Sequence, residues 1–99
     1  MLNIDKTHEN GCTFVALKGR LDTTTAPELE STLIDCLKDT SVLTLDLEKL
    51  EYISSAGLRV LLVAQKTMNV QGEMKLTHVG TAIMDIFEVT GFSEILTIE

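Results

Sequence analysis

The chain has no tryptophan, one tyrosine, three phenylalanines and one proline. Order must therefore come mostly from aliphatic packing. Basic residues are also scarce, with eight Lys and Arg against fifteen Asp and Glu and a net charge of −7. An acidic surface repels phosphate backbones and anionic headgroups, which argues against direct nucleic-acid or membrane contact. It favours a basic protein partner, although solubility explains the sign equally well. Only two cysteines are present, Cys12 and Cys36, far apart and without Cys-x-x-Cys or zinc-type Cys/His spacing. Two reduced, partly buried thiols and no metal are the expectation. No run approaches the length of a membrane span, and Met1–Lys6 lacks the basic and apolar regions of a signal peptide. A soluble, cytoplasmic protein is expected.

Enzyme signatures are missing as well. No Gly-x-Gly-x-x-Gly follows the first strand and there is no Gly-Lys-Ser/Thr phosphate loop, so no cofactor is expected. His8 and His78 are isolated in sequence, and His78 reads as a structural imidazole on a strand. Asp22, Asp46 and Glu51 can approach a serine pair from strand ends. A Ser–Asp pair without a nearby base does not readily activate the hydroxyl. The chain is not expected to be an enzyme.

What is present is 99 residues, 44% hydrophobic, with the apolar residues spread throughout. That fits one folded domain over 1–99 with a modest core. Leu2–Lys6 alternates as a half-buried strand does. Asn10-Gly11 is a strong hairpin signal, because both residues tolerate positive φ. Thr13–Leu17 is the return strand. Thr25-Ala-Pro-Glu28 reads as a helix start with a capping box, and Leu29, Leu33, Cys36 and Leu37 form its apolar stripe. The helix should end near Asp39–Ser41. Val42–Leu47 is a central strand by its aliphatic density, followed by a turn at Glu48–Glu51. A second helix runs from Ala56 to Gln71, with Leu58, Leu61, Leu62, Gln65 and Met68 on one face and Gly72 as its stop. Glu73–Val79 alternates again. A shorter helix opens at Gly80-Thr81, packs through Ile83, Ile86 and Phe87, and ends at Gly91. Ile95–Ile98 closes the chain as a last strand. The order β-β-α-β-α-β-α-β defines an α/β fold with a mixed, mostly parallel sheet and helices packed against it.

The most informative stretch is Tyr52-Ile-Ser-Ser-Ala-Gly-Leu58. Ser54 and Ser55 stand at the mouth of the second helix. A serine there can accept a hydrogen bond from a first-turn amide. It also sits at the positive end of the helix dipole, where a phosphate is stabilised. Cap and phosphoacceptor are both open to it. Gly57 costs about 1 kcal/mol against alanine in a helix, which points to close packing or docking at that position.

Three stretches together resemble the STAS domains, named for sulphate transporters and anti-sigma-factor antagonists. Gly19-Arg-Leu-Asp22 looks like the family's Gly-x-Leu-Asp after the second strand. Leu45-Asp-Leu-Glu48 looks like its strand-ending Asp segment. Tyr52–Leu58 resembles its Phe-Met-Asp-Ser-Ser-Gly-Leu signature, with Ser54 in place of the aspartate and Ala56 in place of the second hydroxyl residue. The likeness covers essentially the whole chain, and a free-standing chain of this length is similar to the bacterial anti-sigma-factor antagonists. The resemblance implies partner switching. An anti-sigma factor that is itself a serine/threonine kinase phosphorylates the antagonist. A PP2C-type phosphatase reverses this, and only the unphosphorylated form binds the anti-sigma factor and frees the sigma factor. By register the acceptor is Ser55, with Ser54 as the alternative hydroxyl. The implied docking patch is Asp22, Thr23, Thr24, Thr25, Ser54, Ser55, Gly57 and Leu58, joined by Arg59. Arg59 can pair with Glu51, Asp22 or a phosphate on Ser55, or stand free in solvent. A non-phosphorylated STAS module of a stress-signalling or lipid-transport assembly is the other outcome that the resemblance allows. A small-ligand sensor is a third, since compact α/β domains bind ligands at strand ends.

Overall fold

The computed structural model describes all 99 residues. Strands β1 (Leu2–Glu9) and β2 (Cys12–Leu21) form a hairpin. Then come helix α1 (Ala26–Leu37), strand β3 (Val42–Ile53), helix α2 (Ser55–Gln71), strand β4 (Glu73–Thr77), helix α3 (Thr81–Thr90) and a 3₁₀ turn at Phe92–Glu94. The sheet order is β1-β2-β3-β4. β1 runs antiparallel to β2, while β2/β3 and β3/β4 are parallel. The hairpin closes through Asn10 and Gly11 at φ 51° and 79°, the positive-φ pair that a two-residue turn demands.

One face of the sheet is buried and the other is open. Val15, Leu17, Leu43, Leu45, Leu47, Met74 and Leu76 are buried on the helix side, whereas Phe14, Thr44, Asp46, Lys75 and Thr77 alternate with them and remain at least partly accessible. The helices contribute Leu29, Leu33 and Leu37 from α1, Leu61, Ala64 and Met68 from α2, and Ile83 and Phe87 from α3. Phe87 is the one fully buried aromatic side chain, so aliphatic residues dominate the core as the composition requires. Away from the core, Thr40 hydrogen-bonds to the carbonyl of Cys36, and the Thr13 hydroxyl lies 2.6 Å from that of Thr40 and 2.7 Å from His8 Nδ1. This polar chain, buried at its Thr13–Thr40 link, ties the hairpin to the end of α1.

Several sequence-based expectations need correction. β3 does not stop at Leu47 but continues through Glu48–Glu51 to Ile53. Its pairing with β2 slips twice, between Ala16 and Lys18 and between Gly19 and Arg20, each time with an extra residue on β3. These bulges break the period of two: the buried positions go from Leu47 to Leu50 to Ile53. A strand with that spacing looks like a turn in sequence. The capping box is absent, because Thr25 makes no side-chain cap to α1. β4 ends at Thr77, and His78 leaves it at φ 54°, exposed and not on the face shared by Met74 and Leu76. The last strand shrinks to one parallel bridge, Leu76 with Ile98. Ile95 and Leu96 both donate their amides to Phe92 O, which keeps the start of that segment coiled rather than extended. Gly72 ends α2 for a reason other than left-handed backbone: a Cβ there would lie 1.8 Å from Ser41 O. Cys12 is exposed rather than partly buried. Cys36 is half-buried, and burial pushes its thiol up.

Candidate functional site

Parallel strands end together, and here β2 and β3 end at one place. Leu21 pairs with Ile53, and the Ser54 amide donates to Leu21 O at 2.9 Å. Beyond that link β2 turns into the Asp22–Thr25 loop and β3 into α2. The sequence-predicted residues of the two motifs, separated by some thirty positions, are thus brought to one rim of the sheet.

Asp22 organises its loop. Its Oδ1 accepts hydrogen bonds from the Thr24 amide at 3.0 Å, the Thr24 hydroxyl at 2.8 Å and the Thr25 amide at 3.1 Å. The Ala26 amide, at the start of α1, donates to Asp22 O at 2.8 Å. The Thr25 hydroxyl accepts from the Asp22 amide and donates to Arg20 O, both at 2.8 Å. The Thr24 hydroxyl is the main cause that holds the Asp22 carboxyl below its usual range; burial opposes it, and the Thr25 and Thr24 donors add to the lowering. Asp22 is therefore a fixed anion. It does not pair with the serines, and Thr25 beneath it is buried while Thr23 and Thr24 are exposed.

The serines divide their roles. Ser55 is the first residue of α2 and is exposed. Ser54 takes the cap position in extended conformation, φ −99° and ψ 176°, yet makes no side-chain cap. Its Oγ is buried and has no partner. The capping role is therefore unfilled by either hydroxyl. Gly57 and Leu58 are buried. A Cβ on Gly57 would lie 2.7 Å from Leu21 Cγ and 2.9 Å from Ile53 Cγ1, so this glycine lets α2 sit down on the strand ends. Gly57, Leu58 and Thr25 thus shape the patch from below, and its accessible surface consists of Thr23, Thr24, Ser55 and Arg59 with parts of Asp22 and Ser54.

Arg59 is exposed and forms no ion pair with Glu51 or Asp22. The cation at the strand ends is instead Arg20, which sequence reasoning passed over. Its guanidinium lies over the Tyr52 ring at 4.4 Å, and its Nε is 3.9 Å from Asp22 Oδ2. The signal was present in the register: Arg20 pairs with Tyr52 across the ladder, and β2 alternation puts Arg20 on the open face.

Two other features stand apart from this rim. On the open face, Asp46, Glu48 and His78 each bring one potential ligand atom within 4.8 Å of the others. Asp46 is already engaged there by the Glu48 amide at 3.0 Å and by His78 Nδ1 at 3.3 Å. Between α1 and α2 runs a groove of about 330 Å³, mainly aliphatic, which reaches the exposed side chains of Ile34 and Val63. No helix is long and apolar enough to cross a membrane.

The STAS domain family model matches residues 3–99, and the chain belongs to the STAS domain family. It is 38% identical to BtrV of Bordetella bronchiseptica over 98% of this chain and 84% of that protein, and 32% identical to the anti-sigma-B factor antagonist of Staphylococcus aureus over 96% of this chain and 90% of that protein. Its fold matches that of an anti-sigma factor antagonist from Mycobacterium paratuberculosis with TM-score 0.89 at 22% identity, over 99% of this chain and 85% of that one. SpoIIAA, a Bacillus cell fate determinant solved in its phosphorylated form, aligns with TM-score 0.77 at 14% identity over 98% of this chain and 91% of its own.

Proposed function

We propose that this protein is a cytoplasmic anti-sigma-factor antagonist that works by partner switching and performs no chemistry of its own. In its unphosphorylated form it binds a kinase-type anti-sigma factor through the strand-end rim and so releases the sigma factor. Phosphorylation on Ser55 by that partner ends the interaction, and a PP2C-type phosphatase restores it. The observation that carries this is the position of Ser55: the exposed first residue of α2, beside the Asp22 loop. Membership of the STAS family and the antagonist name of the Staphylococcus aureus relative support this role.

The physics of the switch is local. A phosphate adds about −1.5 to −2 charge. At the helix N-terminus that charge is tolerated by the dipole, so the fold persists. At a close-packed interface the same group must be desolvated, and like charge across that interface repels it. A cost of about 3 kcal/mol already weakens binding more than a hundredfold. No large rearrangement is required.

Calorimetric titration of a kinase-type anti-sigma factor tests the switch. Ser55→Ala should bind like the native chain and resist phosphorylation by the kinase. Ser55→Asp should stay folded and lose affinity. Equal affinities for all three proteins would refute it, and stable capture by a transporter subunit or stress-signalling assembly without phosphorylation would replace it with that role.

A further inference from the structure

The Arg20 side chain is 54% exposed, yet it is not floating. Its Cζ lies 4.4 Å from the centroid of the Tyr52 ring, a cation–π contact that restrains the guanidinium. Its contact with Asp22, Nε to Oδ2 at 3.9 Å, is too long for a hydrogen bond. The other carboxylate oxygen, Oδ1, takes the donors of Thr24 and Thr25. The guanidinium is thus held over the ring, with donors that no acceptor in the chain uses. Such a fork matches the two oxygens of a carboxylate, with little ordering left to pay on binding.

Its location gives it an addressee. Arg20 and Tyr52 are ladder partners one step before Leu21 and Ile53, and Ser54 is tied to Leu21. The guanidinium therefore borders the rim that carries Ser55. The unphosphorylated form is the one that binds, so in the complex the anion has to come from the partner. We propose that Arg20, held on Tyr52, is a specificity-determining contact that receives an Asp or Glu carboxylate of the kinase-type anti-sigma factor.

The inference rests on the antagonist function proposed above. On a chain of net charge −7, a generally basic partner surface is favoured everywhere else. At Arg20 the local sign is reversed. A partner without an acid at that point brings a cation or an apolar group against the guanidinium, and like charge or unpaired burial rejects it. One acid in a basic surface is a stricter requirement than overall charge.

Calorimetric titration of the anti-sigma factor with the native chain, Arg20→Ala, Arg20→Lys, Tyr52→Leu and Ser55→Asp tests this, with melting curves as the folding control. Arg20→Ala should weaken binding by at least about tenfold and flatten its salt dependence. Arg20→Lys keeps the charge and loses the fork, so it should recover only part of the affinity. Tyr52→Leu should weaken binding less than Arg20→Ala does. If Arg20→Ala and Arg20→Lys bind within twofold of the native chain while Ser55→Asp does not bind, the Arg20 contact is refuted and the antagonist function stands. If the native chain does not bind, both fall. A phosphorus NMR titration of the chain carrying phosphoserine at position 55 separates the remaining source of anion. An Arg20-dependent shift of that phosphate, with partner affinity unchanged by Arg20→Ala, would assign the guanidinium to the chain's own phosphate and overturn the proposal.

Discussion

The backbone amide of Ser54 donates to the carbonyl of Leu21 at 2.9 Å, joining β2 to β3 at the last point before their paths diverge. Everything at the candidate site hangs from this link. Gly57 lies against the same two strand ends, where a Cβ would meet Leu21 Cγ at 2.7 Å and Ile53 Cγ1 at 2.9 Å. Both neighbours are buried and cannot swing into solvent.

Gly57→Ala is therefore expected to lower stability although alanine is the better helix former. Overpacking costs about 1–3 kcal/mol, against about 1 kcal/mol returned by helix propensity. Urea unfolding should give a net loss of about 1 kcal/mol, and binding should weaken as α2 is pushed off the strand ends. A variant at least as stable as the native chain would show that Leu21 and Ile53 give way.

Asp22 makes a prediction about pH. Its carboxyl is held below the ordinary value of about 3.9, chiefly by the Thr24 hydroxyl. A carboxyl depressed in the folded state contributes stability that is present above its unfolded value and is lost as pH falls through the folded one. Melting temperature should thus drop below about pH 4 more steeply in the native chain than in Asp22→Asn. Near neutral pH the native chain should be the more stable of the two. Parallel melting profiles from pH 7 to pH 2.5 would remove Asp22 from this role.

Much of this was legible in the residues. Asn10-Gly11 specified its own turn and, with the apolar run Thr13–Leu17 after it, located β2; the apolar stripes located all three helices, and alternation found β1 and β4. The site motifs were legible because Gly19–Asp22 and Tyr52–Leu58 are local patterns. What escaped had non-local causes. The two bulges that lengthen β3 are a property of its pairing with β2, and the polar residues Glu48, Lys49 and Glu51 hide a strand whose outward face is wet. Gly72 is needed because Ser41 O passes beside it, a contact between positions far apart in sequence. Arg20 gains meaning only when register sets it against Tyr52. Sequence proximity links Arg59 to Ser55, but helix geometry leaves it in solvent.

Gln65 lies on the inner face of α2, 4% exposed, as the helical spacing of Leu58, Leu61 and Met68 requires. Its Nε2 donates to Asn69 Oδ1 at 2.8 Å, while its Oε1 is buried without a partner. An unsatisfied buried acceptor costs about 1–3 kcal/mol. Gln65→Met keeps length and flexibility and removes the amide. It should raise stability by about 1 kcal/mol in urea unfolding, with no effect on partner binding. A loss of stability would mean that the Gln65–Asn69 bond outweighs the orphaned oxygen.

Ser54 and Ser55 are chemically alike and stand in different surroundings, which permits a sharp contrast. A serine that caps a helix costs about 1 kcal/mol when truncated to alanine. The Ser54 side chain makes no such bond, and its Oγ is buried and unpartnered. Ser54→Ala should therefore leave stability within about 0.5 kcal/mol of native, or raise it slightly, because the change removes an unsatisfied hydroxyl. It should also leave Ser55 open to the kinase, so phosphate incorporation should persist in Ser54→Ala and vanish in Ser55→Ala. Intact-mass measurement after incubation with the kinase reads the second point, and chemical unfolding reads the first. Loss of phosphorylation in Ser54→Ala alone would move the acceptor to Ser54, against the burial of its oxygen.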